Sequence, residues 1–116
     1  MADPDCLFCR IARGDIPASI VHEDELMVAF RDIAPQAPTH ILLIPRDHLG
    51  GVADLGEADG PLLARLMTVA ALLATEAGLD RSGYRLVTNS GPDAGQSVAH
   101  LHWHLLGGRK MAWPPG

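Results

Sequence analysis

His100-Leu101-His102-Trp103-His104-Leu105-Leu106, leading into Gly107-Gly108, is the stretch that decides how this chain is read. Three histidines alternate with apolar residues. Alternation is the period of a β-strand, so the spacing predicts a strand over residues 99–106. All three imidazoles share one face, and Leu101, Trp103 and Leu105 turn to a core on the other. Next-nearest side chains on a strand lie roughly 7 Å apart, so the rings can share one ligand or transition state. Half of the six histidines in the chain stand here. Imidazole titrates at about pH 6.5 and suits nucleophilic attack, proton transfer or metal binding. A His-x-His strand is also metal-site geometry. A purely structural reading needs a separate set of hydrogen-bond partners for each buried ring.

The residues just upstream favour phosphate chemistry. Asn89-Ser90-Gly91-Pro92-Asp93-Ala94-Gly95-Gln96-Ser97-Val98 is a glycine-bearing loop that enters the strand. Glycine lets backbone N–H groups approach an anion closely, and Ser97 adds a hydroxyl donor. Near the other end of the chain, Cys6 and Cys9 form a C-x-x-C. No strand precedes it and no βαβ pattern follows, which argues against a thioredoxin-like redox pair. It reads better as half of a zinc site, with two more ligands drawn from His48, His22 and one member of the triad.

At 116 residues with 47% apolar content the chain is expected to be one domain, 1–116, with an aperiodic tail over 109–116. Fourteen acidic against nine basic residues give a net charge of −5. That balance argues against a broad nucleic-acid surface while permitting a local anion site. The N-terminus carries no cationic, apolar signal pattern and no membrane span is predicted, so a cytoplasmic protein is the expectation.

Periodicity supplies the remaining elements. A short helix is predicted over 5–12, strands over 19–22 and 26–31 around the turn Glu23-Asp24-Glu25, and a loop over 34–38. The run Thr39–Pro45 reads as a central strand. A long helix is predicted from Glu57 to Ala77, starting in earnest at Asp59 or Gly60 and stopped by Gly78. Its apolar stripe is wide enough to suggest burial on more than one side and a subunit interface. A strand over 84–89 precedes the triad. Strands, one long helix, then strands give an α+β fold with a five-stranded, mainly antiparallel sheet, one long helix and one short one.

His100-x-His102-x-His104-Leu105-Leu106 resembles the motif of the histidine triad family. Phe30-Arg31-Asp32-Ile33-Ala34-Pro35-Gln36-Ala37-Pro38-Thr39-His40 is similar to the family's second signature, and Gly95-Gln96-Ser97-Val98 precedes the triad as that family has it. Gly107-Gly108-Arg109 and Trp113-Pro114-Pro115-Gly116 resemble its nucleotide-binding branch. The resemblance implies a homodimer whose sheet continues across both subunits. It also implies hydrolysis of the P–N bond of purine nucleoside 5′-phosphoramidates, with some members also cleaving aminoacyl adenylates.

By the same resemblance, His102 is the nucleophile that becomes nucleotidylated. His104 contacts the phosphate oxygens, Ser97 donates to the phosphate or leaving group, and His40 supports His102 from behind. Asp32 binds the ribose hydroxyls. Phe30, Ile33, Leu7, Phe8, Ile11 and Leu42 wall the base pocket, and Asn89 faces the nucleotide together with Gly95, Gln96 and Val98. Separately, the apolar helix over 62–77 and the aromatic, proline-stiffened end at Trp113 predict a tail that docks in the partner's site, with Trp113 over a leaving group. Cys6, Cys9, His48 and His100 resemble the family's zinc-binding version, a closed structural site rather than a catalytic one. No catalytic metal is expected.

The chemistry stands without the family name. A neutral imidazole is an adequate nucleophile at pH 7, and its phosphoryl adduct stays reactive toward water. Fixed donors around the non-bridging oxygens lower both barriers. Competing readings are a dinucleoside polyphosphate hydrolase or nucleotidyltransferase using His102, a nucleotide-binding partner protein without catalysis, and a metal-binding protein that uses the triad itself.

Overall fold

The computed structural model describes residues 3–116; Met1 and Ala2 lie outside the described residues. Helix α1 spans Leu7–Ala12, and Cys6 caps it, its sulfur accepting from the Cys9 N–H. Strands β1 (Ile20–Glu23), β2 (Met27–Arg31) and β3 (Thr39–Pro45) follow. Between β1 and β2, Asp24 Oδ1 accepts from the N–H groups of Leu26 and Met27, which closes the turn. Two short 3-10 turns, Val52–Asp54 and Glu57–Asp59, lead to helix α2 over Gly60–Glu76. Its start lies at the later of the two expected positions, with Pro61 in the first turn where a missing N–H costs nothing. Gly78, at φ +76°, ends it as expected, since a left-handed residue there lets Leu79 N–H bond back to Ala74. Strands β4 (Tyr84–Val87) and β5 (Trp103–Gly107) complete one five-stranded sheet of order β1-β2-β3-β5-β4. Every neighbouring pair is antiparallel.

The sheet has two differently used faces. Met27, Ala29, Ile41, Leu43 and Leu105 point to α2 and pack with Leu66, Val69, Ala70, Leu73 and Ala74. Each fully buried Leu or Val there contributes about 1.5–3 kcal/mol. Val28, Phe30, Leu42 and Ile44 point the other way and pack with Phe8 and Ala12 of α1. Residues Glu57–Glu76 are long and apolar enough to cross a membrane by length and composition alone. In this fold one face of that segment is the core helix of the sheet, while Leu72 on the opposite face is about half exposed. Among the described residues, nothing of the same chain covers Leu72 on that second side.

The triad strand departs from expectation. It begins at Trp103, not Ala99, so His100 and His102 precede the ladder. Their backbone neighbourhood is engaged elsewhere. Leu101 N–H donates to Leu49 O at 2.6 Å, His100 O accepts from the His102 ring, and His102 O accepts from Thr88 Oγ1 at 2.8 Å. The Leu101 N–H, spent this way, cannot also serve a strand ladder. β4 ends at Val87, two residues short of the expected Asn89. Leu101 and Leu105 are buried as the alternation requires.

Candidate active site

On the α1 face, a cleft of about 420 Å³ opens between α1, the end of β2, β3 and the loop that precedes the triad. Leu7, Phe8 and Ile11 come from α1, Phe30, Asp32 and Ile33 from the end of β2 and the residues after it, and Leu42 from β3. Ser97, Val98, His102 and His104 close the remaining side. The lining is mainly apolar with polar groups at one end, the usual build of a small-molecule site. Four further wall residues, Ile16, Pro17, Ala18 and Arg31, escaped the sequence reading. The first three lie in a connecting segment with no periodicity to mark them.

Hydrogen bonds to groups that can only accept or only donate fix the proton on each ring. His102 Nδ1 lies 2.7 Å from His100 O. A carbonyl only accepts, so Nδ1 carries the proton and Nε2 keeps its lone pair. Phe8 meets this ring edge-on, with centroids 5.2 Å apart, and holds its orientation. His40 has the opposite tautomer. Gln36 N–H donates to its Nδ1 at 3.0 Å, so its proton sits on Nε2. From there it faces His104 Nδ1 at 2.8 Å, with Asp32 Oδ2 at 3.4 Å. His104 must accept at Nδ1 and therefore carries its own proton on Nε2. Its ring centroid is 5.1 Å from that of His102. The pair thus offers one lone pair and one N–H donor side by side.

Both support rings stay neutral at pH 7. Burial, followed by the neighbouring charges of His102 and His40, pushes His104 down to about 4, against an opposing pull from Asp32. Burial also pushes His40 below the ordinary imidazole value, again against Asp32. His40 was expected to back His102; the structure pairs it with His104 instead, because the His100 carbonyl already occupies the His102 Nδ1 position. Asp32, His40 and His104 bring three potential ligand atoms within 4.8 Å of one another. A metal on His40 Nε2 would drive the proton to Nδ1, into the Gln36 N–H, so this trio is wired for hydrogen bonding.

The second cluster has the opposite character. Cys6 Sγ, Cys9 Sγ and Nδ1 of His48 and His100 lie within 4.8 Å of one another. His100 Nδ1 is 3.2 Å from Cys6 Sγ and 3.4 Å from Cys9 Sγ, and His48 Nδ1 is 3.4 Å from Cys9 Sγ. Tetrahedral zinc, with bonds of about 2.0–2.3 Å, sets adjacent donors about 3.3–3.8 Å apart. His100 is fully buried, and its Nε2 is 2.9 Å from Pro45 O, so the proton is on Nε2 and the Nδ1 lone pair faces the thiols. Asp3 N–H and Cys9 N–H point at the Cys9 and Cys6 sulfurs, as they would at thiolates. Burial pushes the Cys9 thiol up, against the Asp3 bond, and Cys6 adds to the rise. A cation among the four donors would reverse that. The donor set therefore fits zinc. His22, weighed as a ligand, is half-buried and bonded to Asp24 Oδ2 at 2.8 Å.

Four residues expected at the nucleotide do not line the cleft. Asn89 and Gly95 belong to the segment that leads to Ser97 but are not among the cleft's lining residues; Gly95, at φ +81°, makes a tight turn through its bond to Pro92 O. The Gln96 side chain is turned inward against backbone groups. Trp113 is 82% exposed, on a tail held to β4 by a 3.0 Å bond from Arg85 to Ala112 O.

Known proteins resemble this chain in sequence and fold. A 14 kDa zinc-binding protein of Zea mays is 51% identical over 116 residues, covering 98% of this chain and 90% of the relative. The adenylylsulfatase HINT1 of Arabidopsis thaliana is 48% identical, over 99% of this chain and 79% of the relative. The crystal structure of a HIT family hydrolase from Legionella pneumophila superposes with a TM-score of 0.95 at 54% identity, covering 97% of this chain and all of the other. The HIT domain pattern matches residues 13–111, and the chain belongs to the HIT family.

Proposed function

We propose that this chain hydrolyses the P–N bond of purine nucleoside 5′-phosphoramidates through a nucleotidyl-His102 intermediate, with aminoacyl adenylates as further substrates. One observation carries the reading: in the cleft, the lone pair on His102 Nε2 stands beside the N–H donor of His104. An electrophilic phosphorus with charged non-bridging oxygens is what such a pair suits.

In the first step His102 Nε2 forms a bond to phosphorus. The P–N bond breaks, its electron pair leaves with the amine, and the amine takes up a proton delivered by Ser97 or solvent. The ring becomes cationic, and the His100 carbonyl facing Nδ1–H stabilises it. In the second step water attacks phosphorus, its proton passes to solvent, and the P–His102 bond breaks to restore the lone pair. His104 and Ser97 hold the oxygens through both displacements. Asp32 takes the ribose hydroxyls, while Phe30, Ile33 and the α1 residues enclose the base.

Cys6, Cys9, His48 and His100 would hold zinc as a closed structural clamp that ties α1 to the segment entering β5, with no open position for substrate. We further propose a homodimer in which Trp113 of the tail reaches the second copy's cleft, where an amine leaving group departs. The free thiols fit a cytoplasmic setting.

The test is direct. Purified protein is mixed with adenosine 5′-phosphoramidate, lysyl-adenylate and a diadenosine polyphosphate in separate assays, and AMP release is followed. Preferred turnover of the phosphoramidate supports the reading. Preferred turnover of the diadenosine compound favours the hydrolase alternative, and no turnover of any favours a binding protein.

A further inference from the structure

Gln96 stands in the loop beside Ser97, yet its carboxamide is spent inside the protein. Oε1 accepts from Gly91 N–H at 3.0 Å, and Nε2 donates to Gly50 O at 2.6 Å and Val98 O at 3.2 Å. Its backbone N–H donates to Gly91 O at 3.2 Å. Gln96 thus holds Gly91 at both polar backbone groups, one through its main chain and one through its side chain. This closes the loop on itself. The bond to Val98 O pins the far side of Ser97, and the bond to Gly50 anchors the loop to the segment that follows His48. Ser97 lies between two pinned residues and is left on the cleft wall with His102 and His104.

We infer that Gln96 is a positioning residue: it holds the loop in shape before any ligand arrives, so that Ser97 and neighbouring N–H groups meet a phosphate already in place. The inference rests on the reading of this loop as the phosphate-binding side of the cleft. A donor fixed in advance costs no ordering when the anion binds. A loop carrying glycine at 91 and 95 and lacking this clamp must be ordered by the ligand itself. That cost falls on the phosphate alone, because the base and ribose are held by α1, the end of β2 and β3.

Affinities for AMP and for adenosine, measured by calorimetry on wild type and Gln96→Ala, separate these contributions. Amide exchange at Gly91 in the ligand-free proteins reports the clamp directly. The expected result is a loss of about tenfold in AMP affinity. Adenosine affinity stays within about twofold and Gly91 exchange is faster in the free variant. Unchanged AMP affinity would overturn the inference, as would an equal loss for adenosine, which marks a general folding defect. So would weaker AMP binding with unchanged Gly91 exchange, which marks direct contact. A wild type that binds AMP no better than adenosine would strike the phosphate reading itself and remove this proposal with it.

Discussion

Acidification should destabilise this protein through a ring that contacts the cleft. His104 is held at about 4 when folded, by burial first and then by the charges of His102 and His40. In the unfolded chain an imidazole titrates at about 6.5. The folded value is the lower one, so the unfolded state binds more protons as pH falls. Stability is intact above about pH 6.5 and declines as pH drops toward about 4. For these two values, linkage sets an upper limit of about 2 kcal/mol on the loss between pH 7.5 and 5 from this ring alone, lowered by solvent screening because the ring is only half-buried. His40 is shifted in the same direction, chiefly by burial, and adds to the slope. Urea unfolding at steps between pH 7.5 and 5, on wild type and His104→Gln, isolates the share of His104 by linear extrapolation. Acid release of any bound metal affects both proteins alike. The variant should lose less than wild type over the interval, by up to about 2 kcal/mol. Parallel stability–pH curves would refute the argument that folding keeps this ring neutral.

Three further outcomes follow from the same geometry. His40→Ala removes the donor to His104 Nδ1 and frees that ring to change tautomer, so kcat should fall on the order of a hundredfold with KM little changed; steady-state kinetics with unaltered kcat would show that the pair is incidental. Wild type purified without chelator should carry about one zinc per chain, and Cys9→Ser should lose it, with the Tm lowered by about 5 °C or more; metal analysis and thermal melts check both. Trp113→Ala should narrow the spread of kcat/KM among different amine leaving groups while the dimer persists in light scattering; a monomeric wild type, or identical rates across leaving groups in both proteins, would count against the tail's role.

The fold was largely legible because its elements obey simple periods. The apolar run of β3 and the stripe of α2 have one physical reading each, and the observed bounds of β3, Thr39–Pro45, are those expected. Alternation over residues 100–106 placed the rings correctly on one side of the chain. It could not reveal that Leu49, Pro45 and Thr88 claim nearby polar groups and delay the strand to Trp103. The tautomers were hidden for the same reason. They are set by the backbone groups of His100, Gln36 and Pro45, and a backbone group has no residue-type signature. Cys6 and Cys9 announced themselves by spacing. The choice of His100 over His22 as their companion followed from family resemblance, and the structure accounts for it: His22 is taken by Asp24. Gln96 could be read as a ligand-facing residue because nothing in its type or position says which way an amide turns.

The central claim is that His102 carries the nucleotide covalently between two displacements. Protein mixed with excess adenosine 5′-phosphoramidate, quenched within the first turnovers and digested, should yield an adenylylated peptide by mass spectrometry, with the modification on His102. His102→Ala should yield no adduct and a rate lower by several orders of magnitude. Adenylylation at another residue, or normal turnover by His102→Ala, would contradict the account.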